Sequence, residues 1–350
     1  MSKTLLLPAA QTGIIFTLIF TSSIVFTLTG GVLSNSFSKK NILLVSMASL
    51  SGLLMLIPAM HNVAAIYIII FLMGGFGGII QSLSSALVAD VNPENTSFYV
   101  NFTQVFFGIG AVIGPVFAGL LISFSVIWQY YYLAIGITST IITILFMLVK
   151  ADKKINADKM TWKSFTSIIA DKRFLLICIA MLLYAGSEVG SWGWMSNSLT
   201  KTHSFSPLKS SIAVAVFWSA MTVGRILCGY LTLKFSEKQI IIRLALASIA
   251  LVIMSALPLP EALTWCVLAA MGLGFSGQWA LIASYGGKHS NGPSGTVFPI
   301  MVASGCIGVT IIPYLMGILA SYSNVNIAMG APSILFLVIA VIFIFIKSPS

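Results

Sequence analysis

Charge is scarce in this sequence: 7% of its 350 residues are Asp, Glu, Lys or Arg, against about 25% in a soluble domain. So small a polar set cannot cover a globule in water, and a soluble enzyme or a secreted domain is excluded. The cysteines are Cys178, Cys228, Cys266 and Cys306, all inside apolar stretches and none closely paired, which excludes a disulfide framework and a zinc site. Histidine occurs three times. No nucleophile–base pair, metal cluster or cofactor loop can be assembled from this inventory, so the sequence predicts no enzymatic activity, no metal and no cofactor.

Apolar residues are abundant instead, at 58% of the chain. They form runs over 10–33, 41–58, 63–88, 98–124, 127–149, 174–195, 208–233, 239–257, 261–286, 293–320 and 327–347. Most reach the roughly 20 residues that a membrane-spanning helix needs. The expected fold class is an all-α membrane protein of eleven spanning helices. The formal charge of +10 could suggest nucleic acid, but its distribution reports topology. Lys39, Lys40, Lys150, Lys153, Lys154, Lys159, Lys163, Lys172, Arg173, Lys234, Lys238, Arg243, Lys288 and Lys347 fall on one side of the eleven spans, Lys3, Lys201 and Lys209 on the other. The richer side is the cytoplasmic one by the positive-inside rule. The expectation is a multi-pass cell-membrane protein with a cytoplasmic C-terminus and the lipid bilayer as its environment.

Adding 198 to a residue number lays one half of the chain on the other. Gly31, Leu33, Phe37, Ser38, Lys40 and Ile42 then match Gly229, Leu231, Phe235, Ser236, Lys238 and Ile240, while Gly110, Pro115 and Gly119 match Gly308, Pro313 and Gly317. Equivalent loops keep the same side, so the halves are parallel repeats, an arrangement that puts a transport site between them near the midplane. The span 174–195 has no partner, because its equivalent would precede Met1. The expected division is a five-helix bundle at 1–149 lacking its first helix, a cytoplasmic linker at 150–173 and a six-helix bundle at 174–350. Trp162, Phe165, Ile168 and Ile169 recur in the linker at helical spacing, as in a surface-lying amphipathic helix.

The loop after the first span, with Gly31, Asn35, Lys39 and Lys40, resembles the signature loop of the major facilitator superfamily. Asn35 stands where that pattern has aspartate, and Ser38 where it has glycine. The stretches Tyr184–Trp192, Phe217–Trp218 with Gly224–Gly229, and Phe106–Pro115 resemble the fucose-permease-like sugar:proton symporters. Gly110, Gly114, Pro115 and Gly119 also resemble a motif of drug:proton antiporters. The resemblance implies the major facilitator fold, with two parallel pseudo-repeated bundles of five and six helices, a small-molecule substrate, protons and a monomer.

Two charged residues lie well inside the predicted spans, Glu188 and Arg225. A charge at the bilayer centre costs about 2.5–3.5 kcal/mol on insertion scales and marks a functional position. Hydrocarbon penalises an ionised carboxyl, so a proton can be exchanged there, and Glu188 is the expected proton-coupling group. Tyr184 and Trp192 lie four residues to either side of it, on the same helix face. Arg225 is either a gate or charge partner of Glu188, or a structural arginine bonding backbone carbonyls. Gln81, Asn101, Gln104, Gln278, Trp218 and Trp279 supply amides and indoles suited to a hydroxyl-rich solute; interhelical hydrogen bonding competes as the role of each. The leading expectation is a secondary carrier moving a sugar-like solute with protons by alternating access. The alternatives are export of amphipathic or cationic compounds, and a non-transporting sensor or degenerate paralogue.

Overall fold

A computed structural model describes residues 9–34, 36–60, 62–124, 127–150, 168–290 and 292–346. Asn35 and most of the expected amphipathic linker helix, 151–167, lie outside the described residues. Hydrocarbon offers the backbone no hydrogen-bond partner, so each apolar run must satisfy its own amides as a helix. The helices are α1 (Ala9–Leu33), α2 (Lys39–Leu56), α3 (Val63–Val91), α4 (Thr96–Ser123), α5 (Trp128–Leu148), α6 (Lys172–His203), α7 (Pro207–Leu231), α8 (Glu237–Ser255), α9 (Glu261–Phe275), α10 (Gln278–His289), α11 (Ser294–Tyr322), α12 (Val325–Gly330) and α13 (Pro332–Phe345). Ten described segments are long and apolar enough to cross a membrane, and Thr17–Leu33 of α1 is a shorter apolar one. α9 with α10, and α12 with α13, each make up one such segment. The eleven predicted runs are therefore all helical.

Polar residues punctuate the runs. Asp171, Ser206, Ser236 and Asn324 each accept a backbone N–H in the first turn of the helix they precede, as helix N-caps do. Lys238 donates to the carbonyls of Ile344 and Ile346, at 3.4 and 2.8 Å, and so closes the C-terminal end of α13.

The helix bounds carry the repeat further than the motifs did. Adding 198 converts α1, residues 9–33, into 207–231, the bounds of α7, and converts α3, 63–91, into 261–289, the combined bounds of α9 and α10. Packing repeats as well. α1 lies on α3 as α7 lies on α9, and α2 lies on α3 and α5 as α8 lies on α9 and α13.

The described residues fall into two compact units that do not follow the chain order. One takes in Met1–Val91, Ile113–Thr166 and Gly292–Cys306; the other takes in Asn92–Val112, Ser167–Asn291 and Ile307–Ser350. In the first, glycines let α1 and α3 approach: a methyl on Gly74 would stand 2.5 Å from the Ile19 carbonyl oxygen, and one on Gly78 2.4 Å from Ser23 Oγ. The start of α11 crosses α1 in this unit. Ser34 Oγ donates to the Gly295 carbonyl at 3.2 Å, Gly31 abuts Gly295 and Pro299, and Ser23 Oγ lies 3.5 Å from Cys306 Sγ. In the second unit the start of α4 crosses α7 at equivalent positions. Phe98 and Asn101 face Gly229, and Gly108 admits Thr222. Residue numbers rise along one helix as they fall along the other, so both crossings are antiparallel.

Candidate functional site

The second unit holds the buried charges. α6 presents Tyr184, Glu188 and Trp192 along one face, α7 contributes Trp218, Met221 and Arg225, and α4 contributes Gln104 and Phe107. Glu188 is 8% exposed and Arg225 2%. Arg225 Nη2 lies 3.7 Å from Glu188 Oε1, an ion pair longer than a hydrogen bond. Its Nη1 donates at 2.8 Å to the backbone carbonyl of Gln104. The guanidinium carbon sits 5.6 Å from the Phe107 ring centre and 5.9 Å from that of Trp218, within cation–π range. Trp192 continues the aromatic wall, 6.1 Å from Trp218 and inclined at 59°, and its buried Nε1–H has no acceptor among the described residues.

Arg225 thus lies beside Glu188 and donates to a backbone carbonyl at the same time. A lone buried charge would carry a desolvation penalty of several kcal/mol, and pairing offsets much of it. Phe107 falls in the Phe106–Pro115 stretch but is not a predicted site residue, because one phenylalanine among 23 carries no signal of its own.

The structure gathers Glu188, Arg225, Tyr184, Trp192, Trp218 and the Gln104 backbone. Tyr184 is fully buried; its hydroxyl donates at 2.8 Å to the Phe275 carbonyl and faces the Glu188 side chain. The other expected site residues are disposed differently. Asn101 is fully buried and donates to the Ser97 carbonyl at 2.8 Å. Gln278 donates to Ser248 Oγ and the Gly274 carbonyl, at 3.3 and 3.0 Å. Trp279 is half-buried in the first turn of α10, and Gln81 is half-buried on α3 in the first unit.

A second kind of site lies at the lysine-rich ends of the helices. In the first unit Lys39, 3% exposed, reaches Asp90 at 2.5 Å and Ser294 Oγ at 2.9 Å, while Ser294 Oγ donates to Asp90 at 2.5 Å. In the second, Lys288 pairs with Glu237, whose Oε1 also accepts from Ser97 Oγ at 2.6 Å. Adding 198 takes Lys39 to Glu237 and Asp90 to Lys288. The two ion pairs are repeat equivalents with their charges exchanged, and each is bonded to a serine in the first turn of the helix that crosses from the other half of the sequence. Of the signature loop, Lys39 and Gly31 make these contacts; Lys40 is half-buried outside the pair.

A sequence profile of the Major Facilitator Superfamily matches residues 1–306. The chain belongs to that superfamily. Among curated relatives, a Protein TsgA homolog from Buchnera aphidicola subsp. Baizongia pistaciae is 23% identical over 280 residues, 79% of this chain and 70% of its own length. A homolog of the same name from Yersinia enterocolitica is 23% identical over 287 residues, 80% of this chain and 72% of the relative. Among solved structures, the Escherichia coli fucose:proton symporter FucP, as a point variant, superposes with a TM-score of 0.84 at 18% identity, covering 97% of this chain and 92% of that one, and FucP in the outward conformation gives the same score, covering 98% and 91%. The human organic anion transporter MFSD10 gives 0.80 at 14% identity, covering 95% and 83%. These structural likenesses establish the fold, and superfamily membership makes the chain a multi-pass membrane protein of a transporter family.

Proposed function

We propose that this protein is a secondary active carrier that moves a small polar solute, a sugar, by alternating access, with a proton carried on Glu188. The observation that carries the reading is the Glu188–Arg225 pair, buried against the indoles of Trp192 and Trp218. Indole faces suit the C–H face of a sugar, while the Trp192 N–H and the Glu188 carboxylate offer a donor and an acceptor for its hydroxyls. Fold likeness to a fucose:proton symporter supports the same class.

When Glu188 carries its proton and no longer offsets the guanidinium, Arg225 argues against the alternative of a cationic cargo. A second cation placed about 5 Å from its guanidinium would meet about 3 kcal/mol of repulsion at an effective dielectric near 20. In this reading the lysine-rich side is cytoplasmic, the C-terminus lies there, the protein works as a monomer in the cell membrane, and the rocking bodies are the two sequence repeats joined by the linker 150–173.

The test is transport in proteoliposomes with an imposed proton gradient and a panel of radiolabelled sugars. The parent protein accumulates one of them, whereas Glu188→Gln exchanges it across the membrane but no longer accumulates it. Undiminished accumulation by Glu188→Gln would sink the proton-coupling role. Efflux of lipophilic cations with no sugar uptake would replace the sugar reading with the exporter reading. A protein that folds and moves neither would favour the non-transporting alternative.

A further inference from the structure

The segment 261–289 is broken where its repeat equivalent is not. α9 ends at Phe275 and α10 begins at Gln278, with Gly277 in the left-handed region at φ 69°. Subtracting 198 puts this break at Gly78 and Ile79, which lie inside the uninterrupted α3. The break frees the last carbonyls of α9 and the first N–H groups of α10, which a continuous helix would pair with one another.

Tyr184 takes one of these freed groups. Its hydroxyl, fully buried, donates at 2.8 Å to the Phe275 carbonyl. The rings of Phe275 and Phe336 lie 4.7 Å apart, and those of Phe275 and Phe217 5.7 Å, so the break is held inside an aromatic collar. On the other side it is close-packed and not fully bonded. A methyl on Gly277 would lie 2.5 Å from Cys228 Cβ and 3.0 Å from Asn101 Oδ1, a buried oxygen without a donor.

α10 runs from this break to Lys288, in its last turn. Packed against α6 and α8, it is a short rod with the break at one end and the Lys288–Glu237–Ser97 cluster at the other. Glu188 lies one helical turn beyond Tyr184 on α6, so the rod starts beside the buried ion pair.

We propose that Tyr184 is a positioning residue that clamps the Ser276–Gly277 break, and that α10 links the state of that break to the Glu237–Lys288 latch. Loosening either end of the rod then loosens the break. The idea needs neither a sugar nor a proton to be the cargo, and its test uses neither.

Cys228 is the built-in reporter. It is 3% exposed, with its Sγ 3.6 Å from the carbonyl and the hydroxyl oxygens of Ser276. Cys178, 7% exposed on α6, is the internal control for general loosening. In full-length protein in liposomes, with Cys266 and Cys306 replaced by serine, both thiols are labelled with N-ethylmaleimide and followed by peptide mass. Tyr184→Phe removes only the hydroxyl and is expected to speed labelling of Cys228 about fivefold, the worth of one hydrogen bond, and to leave Cys178 unchanged. Glu237→Gln, at the far end of α10, is expected to speed Cys228 in the same selective way with Tyr184 intact. If Tyr184→Phe leaves Cys228 unchanged, the clamp is overturned; if Glu237→Gln does, the linkage through α10 is. Equal acceleration of Cys178 and Cys228 overturns both, because it reports loosening of the whole unit.

Discussion

Lys39→Met isolates the latch of the first unit. The substitution keeps a stem of similar length and removes two charge-assisted contacts, to Asp90 and to Ser294 Oγ. Lys39 is almost wholly buried, so no water replaces it, whereas the Asp90 side chain is 23% exposed and regains part of its hydration. The net loss is therefore about 2 kcal/mol, below the 3–5 kcal/mol of a fully buried pair. That shifts the balance between joined and parted forms of the α1–α11 crossing about 30-fold. Ser23 Oγ and Cys306 Sγ lie 3.5 Å apart across this crossing, so Ser23→Cys with the native Cys306 makes a disulfide trap needing only a small approach of the two sulfurs. Under mild oxidation Lys39→Met is expected to slow trapping roughly tenfold, Asp90→Asn to do the same, and the double variant to add little, as for two residues acting through one contact. Trapping by Lys39→Met within about twofold of the parent rate would refute the reasoning, as would full additivity of the two substitutions.

Two further outcomes follow from the geometry. Glu237→Lys and Lys288→Glu should each lower the thermal stability of the purified protein, by juxtaposing like charges. The double variant, which gives this latch the polarity of Lys39–Asp90, should recover most of the loss in the same unfolding assay. Gly74→Leu should prevent accumulation of folded protein, read by size-exclusion chromatography, because a methyl there already meets the Ile19 backbone at 2.5 Å and backbone cannot move aside as a flexible side chain can.

The fold was legible because the bilayer leaves the backbone few options. The apolar runs gave the helices, and the 198-residue offset, found from a few glycines, prolines and one loop, proved to govern helix bounds and packing partners. The break at Ser276–Gly277 was not legible. The segment 261–286 reads as one apolar run, and a left-handed glycine in mid-span resembles a packing glycine until its φ is known. Glu188 and Arg225 stood out as the charges deep in the spans, and the structure pairs them. The amides had two readings, substrate contact and hydrogen bonding within the bundle, and Asn101 and Gln278 spend their N–H groups on nearby backbone and serine oxygens. The latches went unread for a different reason. Lys288 enters the sequence argument only through the side on which it falls, Asp90 and Glu237 are not singled out, and the 198 offset was matched by identity. An exchange of sign at equivalent positions keeps the interaction while erasing the identity.

That exchange separates what the repeat conserves from what it does not. Both antiparallel crossings keep a glycine at the same place, Gly31 and Gly229, and both end in a charge pair bonded to a serine of the crossing helix. Closing two helices against each other needs only small residues and complementary charge, in either polarity, so drift between the repeats is tolerated there. At the next turn the equivalence fails. Arg225 corresponds to Thr27, fully buried with its hydroxyl unpartnered among the described residues, and Gln104 corresponds to Val302. Neither Thr27 nor Val302 carries a charge, so the arginine of the buried pair has no equivalent at these positions. The closure is shared between the repeats; the buried arginine is not.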